Sequence, residues 1–175
     1  ESSRTIPQPT EKHLTTIEGP WEVSFQANRG APAQVTFVKL TPWNKHANKG
    51  IKYFSGTGTY TNTIKAPAKW INEETQLWLN LGDVKSLAEV SFNGDPLGVV
   101  WKKPFRVNIT NALQEGQNEL EIKVTNLWVN RLIGDQQPGV TDKFTYTTQD
   151  FYQADSPLKT SGLLGPVKIV SLTNK

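Results

Sequence analysis

Apolar residues recur at every second position in short runs, and turn residues break the runs about every ten positions. Trp21, Val23 and Phe25 alternate with polar neighbours after a Gly19-Pro20 turn, and Val35 and Phe37 form a second run that extends toward Leu40. Residues 55–64 place Tyr60 and Ile64 on one face and four Thr on the other, and β-branched Thr favours a pleated strand. Leu77, Leu79 and Leu81 follow, then Ala88, Val90 and Phe92. Asn93-Gly94 supplies a strong hairpin signal that hands on to Leu97–Trp101. Phe105, Val107 and Ile109, then Leu120, Ile122 and Val124, continue the pattern, and a last strand runs from Val167 to Leu172 after Gly165-Pro166. The one helical signal is a capped turn at Thr110–Leu113, ended near Gly116.

About eight or nine short strands with no intervening helix predict an all-β fold, a two-sheet β-sandwich, with a jelly roll as the natural arrangement for eight. Residues 1–13 are polar, carry Pro7 and Pro9, and read as a linker or a surface arm, leaving 14–175 as a single domain. Two long loops, near 41–52 and 134–163, are candidates for function. Ser55-Gly56-Thr57-Gly58 leads into a strand, so it reads as a glycine-containing strand that admits a neighbouring backbone or Trp, not as a phosphate cradle.

The 175 residues carry a formal charge of +3, and the signs are mixed. Lys102, Lys103 and Arg106 make too small a basic cluster for a nucleic-acid reader. The chain contains no Cys, which removes disulfides and thiolate metal sites, and no apolar run approaches the length that spans a bilayer. It opens on Glu1 and contains no Met, which reads as a processed or excised piece.

A hydrolytic site needs a nucleophile, a base and an orienting group. His13 and His46 have no metal-spaced partner, and Glu73-Glu74, adjacent in a turn, would diverge. No catalytic residue, metal ligand set or cofactor motif is therefore assigned. Asp135, Asp142, Asp150 and Asp155 share the long 134–163 loop and could gather around a structural Ca²⁺, though no Ca²⁺-loop register is present; solvated loop acids are the other reading. Asn108-Ile109-Thr110 matches a glycosylation acceptor but sits at a predicted strand end. Exposed aromatic rings can lie against the C–H faces of sugars. Trp43 and Trp70 fall in or beside loops, Trp101 and Trp128 at strand ends, and Trp78 opposite the Leu face of its strand. Core or edge packing is the competing reading for each.

The strings Leu79-Asn80-Leu81-Gly82-Asp83-Val84, Phe92-Asn93-Gly94 and Leu97–Val107 (LGVVWKKPFRV), followed by Gly116–Ile122 (GQNELEI), resemble the galactose-binding-like jelly roll of the family 2 glycoside hydrolases. Asn130-Arg131-Leu132-Ile133-Gly134-Asp135 and Ser161–Val167 (SGLLGPV) are closer to the C-terminal sandwich of the family 106 α-L-rhamnosidases. The resemblance implies an accessory sandwich of a secreted, periplasmic or surface-bound bacterial glycoside hydrolase, with the hydrolytic carboxylates on a separate catalytic domain. That domain is the implied partner, with carbohydrate a further one, and an autonomous carbohydrate-binding module is the alternative. Under this reading Trp101, Lys102 and Arg131 line a groove toward a sugar or the catalytic domain, with Trp43, Trp128 and Asp135 as further candidates. Asn130–Asp135 would end a strand, where the competing reading is a structural Arg131–Asp135 ion pair or an Arg131 that anchors backbone.

Overall fold

The computed structural model describes residues 9–72 and 74–173, which leaves Glu73 of the adjacent acidic pair and residues 1–8 of the polar N-terminal segment outside the described residues. In chain order the elements are β1 (Thr10–Thr16), β2 (Trp21–Phe25), β3 (Gln34–Phe37), α1 (Lys49–Lys52), β4 (Thr57–Ala66), β5 (Thr75–Asn80), β6 (Asp83–Lys85) and β7 (Leu87–Phe92). They continue with β8 (Asp95–Val100), β9 (Arg106–Asn108), β10 (Gly116–Thr125), α2 (Val129–Asp135), β11 (Gly162–Gly165) and β12 (Lys168–Thr173). A six-stranded sheet in the order β3-β2-β4-β10-β7-β8 and a four-stranded sheet in the order β1-β12-β5-β9 form the sandwich, with a small β11-β6 ribbon beside them. The expected two-sheet architecture is observed.

Alternation explains the sheets. Across the larger one, register aligns Val35, Val23, Tyr60, Ile122 and Val90 in a row, and Phe25, Gly58, Val124 and Ala88 in another. In the smaller sheet Val107, Leu79 and Ile169 lie abreast. Nearly all of these side chains are buried, and they join one core. A one-residue slip of any strand would turn its whole set outward, so burial fixes the register. At the Asn93-Gly94 turn both residues take positive φ, 53° and 85°, the conformation of the expected two-residue hairpin.

Three expectations change. Residues 10–13, read as linker or arm, belong to β1, where Thr10–His13 pair with Thr173–Val170 of β12. This edge strand is held by backbone pairing and keeps its polar side chains in solvent, so no apolar alternation marks it. The 41–52 loop is a plug: Trp43, Ile51 and Phe54 are fully buried, and the Asn48 side chain caps α1 by accepting from Gly50 and Ile51 N–H. The turn at 110–113 forms, but its polar group is Asn108, whose Oδ1 accepts from Thr110 N–H; the Thr110 hydroxyl instead accepts from Leu77 N–H at 2.8 Å.

Candidate functional site

One end of the sandwich is built differently from the rest. β4 begins there at Thr57 and β10 leaves it at Thr125, directly opposite. The chain after β10 is tied back by polar groups. Asn126 accepts from Gly56 N–H at 2.9 Å and donates to the Phe54 carbonyl at 2.9 Å. The Ser55 hydroxyl donates to the Leu127 carbonyl and accepts from Arg131 N–H. These contacts set the direction of α2.

The sequence Asn130–Asp135 is therefore helix, not a strand end. At seven residues, α2 is too short to show a helical period in sequence. Its polar side chains point at the long segment that follows and hold it at four places. Asn130 donates to the Lys159 carbonyl at 2.7 Å and accepts from Lys159 N–H at 2.8 Å, a backbone-like pair. Asp135 Oδ2 accepts from the Thr145 N–H and hydroxyl at 2.8 and 2.6 Å. Gln136, just past the helix, donates to Asp150, and Gln137 donates to the Ala154 carbonyl. The segment 136–161 contains no strand or helix, so these side chains supply pairing that a sheet would otherwise give its backbone.

Arg131 and Asp135 are both buried, and Nε lies 2.9 Å from Oδ1. The contact is an ion pair without a well-aligned hydrogen bond. The guanidinium sits between the Phe144 ring (4.8 Å) and the Tyr53 ring (6.0 Å). Two glycines make the slot: a Cβ on Gly134 would collide with Arg131 and Tyr53, and one on Gly30 would lie 3.0 Å from the Phe144 ring. Beside it, the Arg29 guanidinium covers Trp128 at 4.7 Å. Two hollows adjoin here, of about 350 and 300 Å³, and share Arg131 and Phe144 as walls.

The remaining candidates separate from this site. Trp43 lies in the core, donating from Nε1 to the Tyr60 hydroxyl at 2.6 Å and packing against Gly58 and Gly162. It has no surface to offer a sugar. The glycine-containing strand does admit a Trp, as its sequence suggests, because a Cβ on Gly58 would stand 2.7 Å from the Trp43 ring. Trp101 is 68% exposed, with the Lys102 ammonium 5.5 Å from its ring. Val100 pairs with Ala88, and Ala88 with Val124, so Trp101 leaves the sheet at the same end as Leu127 and Trp128. Trp78 is half-buried under Arg106. His46 stacks on Phe37, and His13 bonds Thr16. The four Asp of the long loop do not converge: among the described residues no group of three or more His, Cys, Asp or Glu could hold a metal ion. No helix among them is long and apolar enough to cross a membrane.

Arg29, Tyr53, Asn130 and Phe144 carry much of this geometry and were not among the sequence candidates. Asn130 lay inside a recognised string, so its neighbours were the available signal. The others come from segments far apart in the chain, with no shared pattern.

Comparison with known proteins places the chain. Residues 42–155 match a family model described as glycosyl hydrolase 2 galactose-binding domain-like. The "Putative beta-glucuronidase" of Formosa agariphila is 37% identical over 98% of this chain and 16% of its own length. A rhamnosidase structure from Novosphingobium sp. PP1Y superposes with a TM-score of 0.91 at 47% identity, covering 96% of this chain and 16% of that one. A β-D-glucuronidase structure from Dictyoglomus thermophilum shares the fold at a TM-score of 0.60 and 17% identity, over 99% of this chain and 29% of that one. The chain thus spans about a sixth of the length of the first two relatives.

Proposed function

This chain belongs to the glycosyl hydrolase 2 galactose-binding domain-like family, and from that premise we propose that it serves as a non-catalytic accessory domain of a secreted bacterial glycoside hydrolase of the α-L-rhamnosidase type. The similarity to the Novosphingobium rhamnosidase supports the narrower activity. In this reading the end carrying α2 rests on the catalytic domain. The observation that carries it is that Tyr146 (91%) and Phe151 (77%) border one hollow beside α2, while Leu127 (62%) and Trp101 (68%) leave the sheet at the same end. Monomeric domains rarely leave such side chains grouped unless a partner covers them. Among the described residues, the opposite end exposes scattered ones such as Val38, which need no partner.

The test compares Tyr146→Ser with Phe151→Ser, combined, in this chain alone and in a longer enzyme that includes the catalytic domain. The expected result is no change in melting temperature for the chain alone and a fall of several degrees for the longer enzyme. Equal shifts in both, or none in either, would overturn the docking. An aryl α-L-rhamnoside should be hydrolysed by the longer enzyme and not by the chain alone; hydrolysis by the chain alone would overturn the accessory role.

A second reading, an autonomous carbohydrate-binding module, is favoured by the exposed face of Trp101. Calorimetric titration of the chain with plant glycans discriminates, since heat abolished by Trp101→Ala is expected only under that reading.

A further inference from the structure

Arg131 presents a chemical imbalance that its packing between Phe144 and Tyr53 leaves in place. The residue is only 5% exposed, yet its charge is shared with Asp135 through Nε alone. Among the described residues the two terminal nitrogens donate no hydrogen bond, although four N–H groups project from them. Both hollows are walled by this guanidinium. Their linings include Arg29, Lys49 and Arg131 and no Asp or Glu. Asp135 is occupied on its other oxygen by Thr145 and faces the guanidinium from the helix side. With the Arg131 charge balanced by Asp135, the excess positive charge of the hollows comes from Arg29 and Lys49, around a fork whose planar geometry matches a carboxylate. Trp128 and Phe144 are each about half-exposed: one face of each ring lies under the Arg29 or the Arg131 guanidinium, and the remaining ring surface is open beside that fork.

We infer that the paired hollow around Arg131 binds an acidic monosaccharide, the terminal nitrogens of Arg131 taking its carboxylate and Arg29 adding charge at the rim. The open parts of the Phe144 and Trp128 rings receive the C–H surface of the sugar ring, as aromatic rings do for sugars. A simple carboxylate lacks that surface and a neutral hexose lacks the charge, so only a ligand with both uses the whole site. The inference goes beyond the accessory role and does not require the docking.

The test is a titration of the isotope-labelled 175-residue chain at low salt, followed by nuclear magnetic resonance, with D-glucuronate, acetate and D-glucose as probes. Glucuronate should shift the Arg131 side-chain N–H, Trp128 indole N–H and Phe144 amide signals. Acetate should bind at least tenfold more weakly, and glucose should leave those signals in place. Arg131→Lys keeps the charge and loses the fork, and should weaken glucuronate at least tenfold. Because that change touches the buried pair, Arg29→Gln at the exposed rim is the second variant, expected to weaken binding severalfold with an unchanged amide spectrum elsewhere. The inference is overturned if glucuronate shifts nothing, if acetate equals it, or if a folded Arg29→Gln chain binds undiminished. Those outcomes bear on the hollow alone, since the docking is read separately from melting temperatures in the longer enzyme.

Discussion

The sandwich and the segment that closes its α2 end are both well ordered by contacts, but the contacts differ in kind. Between the sheets the chain relies on rows of apolar side chains, and the plug residues Trp43, Ile51 and Phe54 extend the core beyond the strands. Phe25 meets both Trp43 and Phe54 edge to face at 5.5 and 4.8 Å. From Asn126 to Ser161 the chain relies on side-chain amides, a carboxylate and a hydroxyl that pair with distant backbone. Apolar burial is proportional to area and indifferent to direction, while hydrogen bonds fix direction and return only about 1 kcal/mol net each. The first holds the fold together; the second places a loop and the residues it carries.

That contrast predicts two different failures. Trp43→Ala should cost about 3–5 kcal/mol in denaturant unfolding, because it opens a cavity at the centre of the plug and leaves Tyr60 without its indole donor. Loss of protection from hydrogen exchange should then be global. Asn130→Ala should cost less, about 1–3 kcal/mol, since the Lys159 N–H and carbonyl both lose their side-chain partner while apolar packing is largely kept. Its exchange should quicken across 140–160 while β4 and β10 keep their protection. If Asn130→Ala loosened the whole sandwich uniformly, the division into two regions would be wrong.

The same contrast explains what could be read from the sequence. Strands such as β4, β5, β7 and β10 were legible because burial on one face writes a period of two, and the hairpin because Asn93-Gly94 favours positive φ. β1 was hidden because an edge strand with a solvated face leaves no such mark. Trp43 was misplaced because a loop position in sequence does not say whether the loop turns inward. α2 was missed for its brevity, and its string of Asn130, Arg131 and Asp135 gave residue types without direction. What those side chains reach, at Thr145 and Lys159, lies 10 to 29 positions away in chain that carries no pattern of its own. The same holds for Arg29 over Trp128.

Tyr60 ties the plug to β11 and gives the smallest and most specific effect. Its ring belongs to the central row of the larger sheet, while its hydroxyl accepts from Trp43 Nε1–H and, at 3.2 Å, from the Leu163 N–H of β11. Burial pushes its phenol well above the usual tyrosine value, outweighing the two donated hydrogen bonds that favour the phenolate. In the unfolded chain that phenol titrates near 10. Above that pH the unfolded state releases a proton that the folded state retains, so stability must fall as pH rises; below it the contribution is complete. From pH 10 to 11 the loss approaches about 1.4 kcal/mol for each further pH unit. Tyr60→Phe should be weaker than the parent at neutral pH, because it leaves the Trp43 and Leu163 donors unpaired, yet its urea midpoint should decline less steeply above pH 10. Parallel declines in the two proteins would show that the alkaline loss arises elsewhere and that the hydroxyl does not link the plug to β11.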